Sequence, residues 1–226
     1  MGGIANNLAH INEVIAASAA KSGRNHSNVK LIGVTKTIEP VRIQELIAAG
    51  VTNLGENRVQ DFLPKYESLK AHDPTWHFIG HLQRNKVKFI IDKVAMIHSV
   101  DSLALAEEID KRAGQTGRRM DILVEINIAG ESSKHGLNQS DAPDIISKLT
   151  DLKNIQVKGL MCMAPFVENP EENRRYFEKM RNLFLDINAK QPHNLTELSM
   201  GMSGDYNIAI EEGATMVRVG TALVCE

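Results

Sequence analysis

Residues 196–221 read TELSMGMSGDYNIAIEEGATMVRVGT and contain one complete strand, helix and strand unit. The runs Thr196–Met200 and Met216–Val219 are short and apolar, as in strands that are buried on both faces. Between them, Tyr206–Glu212 has the composition of a short helix. Two such strands joined through a helix predict parallel pairing.

The same alternation extends over the rest of the chain. Six further apolar runs predict strands at Val29–Lys36, Thr52–Glu56, Thr75–Gly80, Val94–Val100, Met120–Ile128 and Val157–Met163. Amphipathic segments predict helices at Pro40–Ala49, Arg58–Ala71, Gln83–Asp92, Ser102–Ala113, Ala142–Leu149 and Glu171–Ala189. Ile4–Ala20 adds a helix before the first strand.

Eight strands alternating with helices in 226 residues predict an α/β protein with a single (β/α)8 TIM barrel and an extra N-terminal helix. A doubly wound open sheet is the alternative. No Pro/Gly/Ser-rich linker divides the sequence, so we expect one domain over residues 1–226. In either architecture, functional residues lie at the carboxyl ends of the strands.

The composition excludes several functional classes. The formal net charge of −2 and the aromatic content of 4% argue against a nucleic-acid-binding surface. No apolar run is long enough to cross a bilayer, so we expect no membrane partner. Cys162 and Cys225 form no disulfide framework, which is typical of a cytoplasmic protein with reduced thiols. Few aromatic residues favour a monomer.

The first three strands end in residues that could carry chemistry. Lys36 follows the first strand, where partial desolvation would lower its pKa and free the amine for imine formation; a solvated lysine at the rim is equally compatible. Asn57 follows the second strand as a polar contact or a helix N-cap. His77 and His81 are roughly 13 Å apart along the third strand, too far to share a metal ion, so we expect no metal site. His81, at the strand end, is the better candidate.

Phosphate recognition is indicated after the last two strands. In barrels of this type, the loops after strands seven and eight frequently bind phosphate. Ser199, Ser203, Gly220 and Thr221 could donate from hydroxyl or backbone groups, and Arg218 adds a positive charge. Together with Lys36, these residues predict a site that binds a phosphorylated carbonyl compound. Both pyridoxal 5′-phosphate (PLP) and the sugar phosphate of a class I aldolase fit this description.

Two other groups of residues are less informative. The loop 131–136 (ESSKHG) brings a second lysine, Lys134, within reach of the barrel mouth. Met161, Cys162 and Met163 end the sixth strand, where packing is a better interpretation than a soft metal site. Cys162 has no neighbouring basic residue that would activate it as a nucleophile.

Several motifs together resemble the pyridoxal phosphate homeostasis protein family, which is related to the N-terminal barrel of alanine racemase. They occur in the family's order and cover nearly the whole chain: Gly33–Lys36, Gly55–Gln60, His77–Lys86, Ser99–Ser102, Gly159–Met161, Leu198–Ser203 and Val217–Thr221. One departure is the end, which reads Leu223-Val224-Cys225-Glu226 where the family usually continues past an Ile/Leu-Phe-Gly.

The resemblance implies a PLP site at the barrel mouth. Lys36 would carry the internal aldimine with PLP, and Asn57 and His81 would lie beside the ring. Ser199, Ser203, Gly220 and Thr221 would surround the phosphate, with Arg218 near the phosphate or the ring nitrogen. Lys134 lies in a segment similar to the family's lysine- and glycine-containing loop.

The resemblance also implies a role in PLP homeostasis, by buffering the cofactor or delivering it transiently to PLP-dependent apo-enzymes. Racemisation needs a base on each face of the α-carbon, and one lysine serves only one face. An arginine near the ring nitrogen would weaken the ring as an electron sink. We therefore expect a carrier rather than an enzyme. A PLP-dependent racemase of low activity and a Schiff-base aldolase remain the alternatives.

Overall fold

The computed structural model describes residues 3–131, 134–190 and 194–225. Within these ranges, eight strands form a closed parallel barrel in sequence order, and β1 pairs with β8. The strands are β1 Lys30–Val34, β2 Asn53–Glu56, β3 Thr75–Phe78, β4 Met96–Val100, β5 Met120–Ile126, β6 Ile155–Cys162, β7 Glu197–Met202 and β8 Met216–Val219. The predicted TIM barrel is confirmed, and the open sheet is wrong.

Helices connect the strands around the outside of the barrel. In the described ranges they are α1 Gly3–Lys21, α2 Pro40–Ala48, α3 Val59–Leu69, α4 Leu103–Gln115, α5 Ala142–Leu149, α6 Arg174–Lys190, α7 Tyr206–Glu211 and α8 Thr221–Val224. The predicted helix at Gln83–Asp92 is instead a short 3-10 helix, Arg84–Phe89, and α8 was not predicted. A four-residue helix has too few positions to show a periodic pattern.

Local signals explain where two helices begin. Pro40 occupies the first turn of α2, where its missing N–H costs nothing. The Ser102 side chain accepts a hydrogen bond from the Leu105 amide and thus forms the N-cap of α4. The preceding residue, Asp101, has its Oδ2 atom 3.3 Å from His81 Nδ1.

The barrel interior has an apolar part and a polar part. Ile32, Met96, Leu123, Met161 and Met216 form a buried cluster separate from the larger core between strands and helices. Two residues further along three of these strands stand the buried polar residues His98, Glu125 and Arg218. Since residues two apart on a strand share a face, polar groups lie above the apolar cluster, on the side of the carboxyl ends.

Helix α1 connects the two ends of the chain. Its buried face contains Ile4, Leu8, Ile11 and Ile15. Asn7 Nδ2 donates hydrogen bonds to the carbonyl oxygens of Leu223 at 3.2 Å and Cys225 at 2.9 Å, at the end of α8. Among the described residues, no helix combines the length and the apolar character that crossing a membrane requires.

Candidate functional site

A cavity of about 760 Å³ opens at the carboxyl ends of the strands. This volume lies within the usual range of small-molecule sites. Seven of the eight residues expected at a ligand site line it: Lys36, Asn57, His81, Ser203, Arg218, Gly220 and Thr221. Ser199 is the exception, because it is fully buried inside the barrel.

Lys36 lies on an exposed turn two residues beyond the end of β1. The expected partial desolvation of its amine is therefore absent: the strand ends at Val34, and the chain has reached the open rim by Lys36. Within the described ranges, the structure gives the Lys36 amine no hydrogen bond or ion pair. The residue before it, Thr35, is fully buried, and its backbone carbonyl oxygen accepts a hydrogen bond from Lys65 Nζ at 2.6 Å.

Asn57 is held at the end of β2 by close contact with Gly80. A Cβ atom on Gly80 would stand 2.2 Å from the Asn57 carbonyl oxygen, so only glycine permits this approach. The Asn57 side chain makes no N-cap hydrogen bond, since Arg58 holds the N-cap position of α3. Asn57 Oδ1 is buried without a hydrogen-bond partner among the described residues. Such an acceptor is costly to leave unpaired and suits a ligand donor.

His81 lies at the rim beside the loop that follows β5. Its ring stacks on that of His135, with centroids 3.8 Å apart and planes 11° apart, and its Nδ1 lies 3.3 Å from Asp101 Oδ2. The donor atoms of these three side chains are within 4.8 Å of one another. However, imidazole lone pairs lie in the ring planes, so two parallel stacked rings cannot both point at one ion. The neighbouring Ser132 and Ser133 of the predicted polar loop lie outside the described residues.

Arg218 supplies the buried positive charge of the site. Its side chain is 4% exposed, and it donates to Ser199 Oγ at 2.7 Å and to the Cys162 carbonyl oxygen at 2.8 Å. Burial lowers the pKa of Arg218, an effect that the charges of Glu125 and Asp205 partly offset. Among the described residues no carboxylate forms an ion pair with it. The cavity therefore has a positive charge bound only by neutral oxygens.

Ser203 links the loop after β7 to the turn after β8. Its Oγ accepts hydrogen bonds from the backbone amides of Gly220 at 3.1 Å and Ala222 at 3.4 Å. Two backbone N–H groups thus converge on one oxygen, which is the arrangement that anion-binding turns use. Gly201 lets α7 pack closely against the end of β7, since its φ is +91° and a Cβ there would lie 2.5 Å from the Cβ of Ala209.

Sequence reasoning missed two polar residues that line the cavity. Asn173 Nδ2 donates to Asp205 Oδ2 at 2.8 Å, and Asp205 Oδ1 accepts from the Met202 amide at 2.7 Å. Asn173 Oδ1 is buried and unpartnered within the described ranges. Asn173 lies in a 3-10 turn before α6, where no strand end marks it as a candidate.

Sequence reasoning also missed His98 and Glu125 inside the barrel. Both stand in mostly apolar strands, which is a signal that could have identified them. Burial, followed by the nearby Asp101 charge, raises the pKa of Glu125 to about 7. His77 does not face His81 but points into the barrel, where its Nδ1 lies 3.0 Å from His98 Nε2.

This barrel with its polar, cationic mouth belongs to a known class. The family model of the alanine racemase N-terminal domain matches residues 7–226. Within that class, the chain belongs to the pyridoxal phosphate homeostasis protein family. It is 45% identical to the family member of Aquifex aeolicus over 97% of this chain and 96% of that protein. It is 34% identical to the Escherichia coli K12 member over 99% of this chain and 96% of that protein.

Solved structures agree with this assignment. The chain is similar to PipY of Synechococcus elongatus, solved with PLP bound, with a TM-score of 0.86 and 36% identity over 97% of this chain and 99% of PipY. PipY without PLP gives a TM-score of 0.88. Alanine racemase of Clostridium difficile has a TM-score of 0.76 at 17% identity and shares the fold, with 56% of its chain covered.

Proposed function

We propose that this protein binds PLP in the cavity at the barrel mouth and acts in PLP homeostasis, as a buffer or delivery protein. Residues 1–226 would form one PLP-binding barrel domain. The observation that carries the proposal is Arg218, a buried guanidinium that lines the cavity and has only neutral acceptors among its described partners. A buried charge without a counterion is costly, and an anionic ligand supplies that counterion.

The remaining cavity residues fit the parts of PLP. Ser203, Gly220 and Thr221 would hold the phosphate, because backbone amides there already converge on an oxygen atom. Asn57 and His81 would lie beside the ring. Ser199 is left out of this set, since its hydroxyl is fully buried and bonded to Arg218.

We propose Lys36 as the site of covalent attachment. When bound, PLP supplies an aldehyde that condenses with an amine. Lys36 offers an amine that is not engaged by any described residue, whereas the Lys134 amine lies 3.0 Å from a Glu131 carboxylate oxygen. Attachment at Lys36 is therefore favoured over attachment at Lys134.

We propose further that the protein does not run efficient amino-acid chemistry. Arg218 stays protonated and cannot give its proton to a pyridine nitrogen. Beside the ring it would keep that nitrogen uncharged and the ring a weak electron sink. The relatives named above are called homeostasis proteins, which supports a carrier.

Location and assembly complete the proposal. Cys162 and Cys225 are both free, which suits the reducing cytoplasm. The large apolar side chains that the structure describes as exposed lie on separate elements, except Met163, Phe166 and Met202 at the cavity. We therefore propose that the protein is a monomer, and light scattering of the purified protein would test this. We propose also that it contacts PLP-dependent apo-enzymes transiently at the barrel mouth.

The decisive experiment is borohydride reduction followed by peptide mass mapping. The protein loaded with PLP should be yellow, lose its visible band on reduction and retain a phosphopyridoxyl group on Lys36. The variant Lys36→Arg keeps the charge but should not be labelled. Absence of PLP binding would overturn the proposal, and labelling confined to Lys134 would overturn the assignment of Lys36.

Two further measurements separate the alternatives. A racemase would carry the same label and also incorporate solvent deuterium into an amino acid at a rate typical of dedicated enzymes. A class I aldolase would be purified colourless and be trapped by borohydride only in the presence of a sugar phosphate. Either result would replace the carrier function.

A further inference from the structure

A continuous hydrogen-bond relay, formed by Asn53, His77, His98, Ser199 and Arg218, runs through the barrel to the cavity. Asn53 Oδ1 lies 3.1 Å from His77 Nε2, and His77 Nδ1 lies 3.0 Å from His98 Nε2. His98 Nδ1 lies 3.1 Å from Ser199 Oγ, which accepts from Arg218 Nη1 at 2.7 Å. Asn53 begins β2, so the relay starts at the opposite end of the barrel from the cavity.

The chemistry of its members fixes the direction of the relay. Arginine can only donate, so Ser199 Oγ accepts from Arg218 and its own proton goes to His98 Nδ1. His98 then carries its proton on Nε2 and donates to His77 Nδ1. His77 in turn carries its proton on Nε2 and donates to Asn53 Oδ1, which is an acceptor. Every hydrogen bond of the relay is satisfied in this direction.

The opposite direction leaves a polar group unpaired. If His98 donated from Nδ1, Ser199 Oγ would accept from both neighbours, and its hydroxyl proton would have no partner among the described residues. Ser199 and His98 are fully buried, so water is not available to replace that partner. The Asn53 amide would also have to turn its nitrogen towards His77.

Both histidines are neutral in this environment. Burial and the charge of Lys30 lower the pKa of His77 to about 4. Burial, and then the charges of His77, Arg218 and Lys30, hold the pKa of His98 well below its usual value. A neutral imidazole has one donor and one acceptor, which is what each place in the relay requires.

We propose that this relay positions Arg218, and that Ser199 is the residue linking it to the relay rather than a phosphate ligand. The Ser199 hydroxyl has a single proton, which it donates to His98 Nδ1 in the relay. Asn53 and the two histidines thereby act on the ligand at a distance, through the orientation of the guanidinium. This effect on the ligand rests on the proposed PLP site, whereas the direction of the relay does not.

The direction is tested on the protein without ligand by NMR of the imidazole nitrogens. In ¹⁵N-labelled protein we expect His77 and His98 to carry their protons on Nε2 and to have unprotonated Nδ1 atoms. Protons on Nδ1 in either residue would overturn the relay as described. This outcome holds whether or not the protein binds PLP.

The positioning role is tested with two substitutions of Asn53, far from the cavity. Asn53→Asp keeps the acceptor for His77 and should leave PLP affinity near that of the wild type. Asn53→Leu removes this acceptor and should raise the dissociation constant for PLP by about two- to thirtyfold, the range of couplings through residues that do not touch the ligand.

Equal PLP affinity of Asn53→Leu and the wild type would overturn the positioning role, even with the expected tautomers. If Asn53→Leu does not fold, Ser199→Ala replaces it. That variant should weaken PLP binding and also change the His98 nitrogen signals in ligand-free protein, which loss of a phosphate contact alone would not do. Failure of the wild type to bind PLP would instead contradict the proposed function.

Discussion

Lys65 Nζ lies 2.7 Å from Glu56 Oε1 in a nearly inaccessible ion pair. The pair is next to the end of β1, the strand that precedes Lys36. Thr35 Oγ1 donates to the same carboxylate oxygen at 2.7 Å, and Lys65 also donates to the Thr35 carbonyl oxygen. The pair therefore fixes the backbone one residue before Lys36. Glu56 therefore has a structural role at the end of β2.

Replacing one residue of the Glu56–Lys65 pair should destabilise the protein more than replacing both. Lys65→Met leaves a buried carboxylate unpaired and should cost about 3–5 kcal/mol of unfolding free energy, with Glu56→Gln costing a similar amount. The double variant Glu56→Gln/Lys65→Met should lose less than the sum of the two, because no unpaired charge remains. Urea unfolding measures all three. Additive losses would show that the two charges are not coupled.

Arg218 should dominate PLP affinity. Arg218→Met removes the buried charge and should raise the dissociation constant by about 10- to 100-fold, as expected for charge-assisted hydrogen bonds. Arg218→Lys keeps a charge without the planar fork and should be intermediate. Absorbance titration of ligand-free protein measures the affinity.

The matched control for Arg218 is Arg42→Met, which removes an arginine that pairs with Glu45 on the surface of α2. It should bind PLP like the wild type. Undiminished binding by a folded Arg218→Met variant would contradict the central place given to this residue.

Glu125 should make the ligand-free protein less stable as the pH rises. In the unfolded chain its carboxyl loses a proton near pH 4.3, whereas burial and Asp101 raise its folded pKa to about 7. The folded state binds more protons between these values, so stability falls across this window by roughly 3–4 kcal/mol. Above the folded pKa the loss is complete.

Glu125→Gln should remove this dependence and be the more stable protein at pH 7.5. His77 has the opposite effect, because its lowered pKa favours the folded state as the pH rises from about 4. Only the difference between variant and wild-type unfolding curves isolates Glu125. A difference that stays constant from pH 4.5 to 7.5 would contradict the raised pKa.

The two thiols should differ in reactivity. Burial raises the pKa of Cys162 to about 12, and its side chain is fully inaccessible, whereas Cys225 is exposed. A thiol reagent should therefore modify one cysteine rapidly in the native protein and both in denaturant. Cys225→Ser should abolish the rapid phase. A rapid phase that persists in this variant would show that Cys162 is accessible.

The fold was predictable because each strand has its own local signal. Buried parallel strands are short and apolar, and all eight predicted strands match the structure to within two residues at both ends. The segment 84–89 was less predictable, since its apolar spacing suits both a 3-10 helix and an α-helix. The N-cap of α4 was also hard to predict, because Asp101 and Ser102 are adjacent polar residues and either could turn towards the helix.

The site was predictable only where strand ends mark it. Asn57 and Ser203 follow strands directly and Lys36 stands two residues beyond one, and the structure places all three around one cavity. Ser199 was expected at the phosphate, and its burial inside the barrel was not predictable, because a sequence does not show on which side of a strand end a hydroxyl lies. The partners of His77 and Arg218 come from distant strands, and only barrel closure brings them together.

The pairing of β1 with β8 also determines when the site can form during synthesis. Lys36 leaves the ribosome about 180 residues before Arg218 and Gly220, and α1 has its Asn7 partners in the last residues of the barrel. Long-range contacts of this kind form late. A nascent chain therefore cannot hold the ligand until the segment from Met216 to Cys225 has left the ribosome, so ligand capture follows the synthesis of the whole barrel.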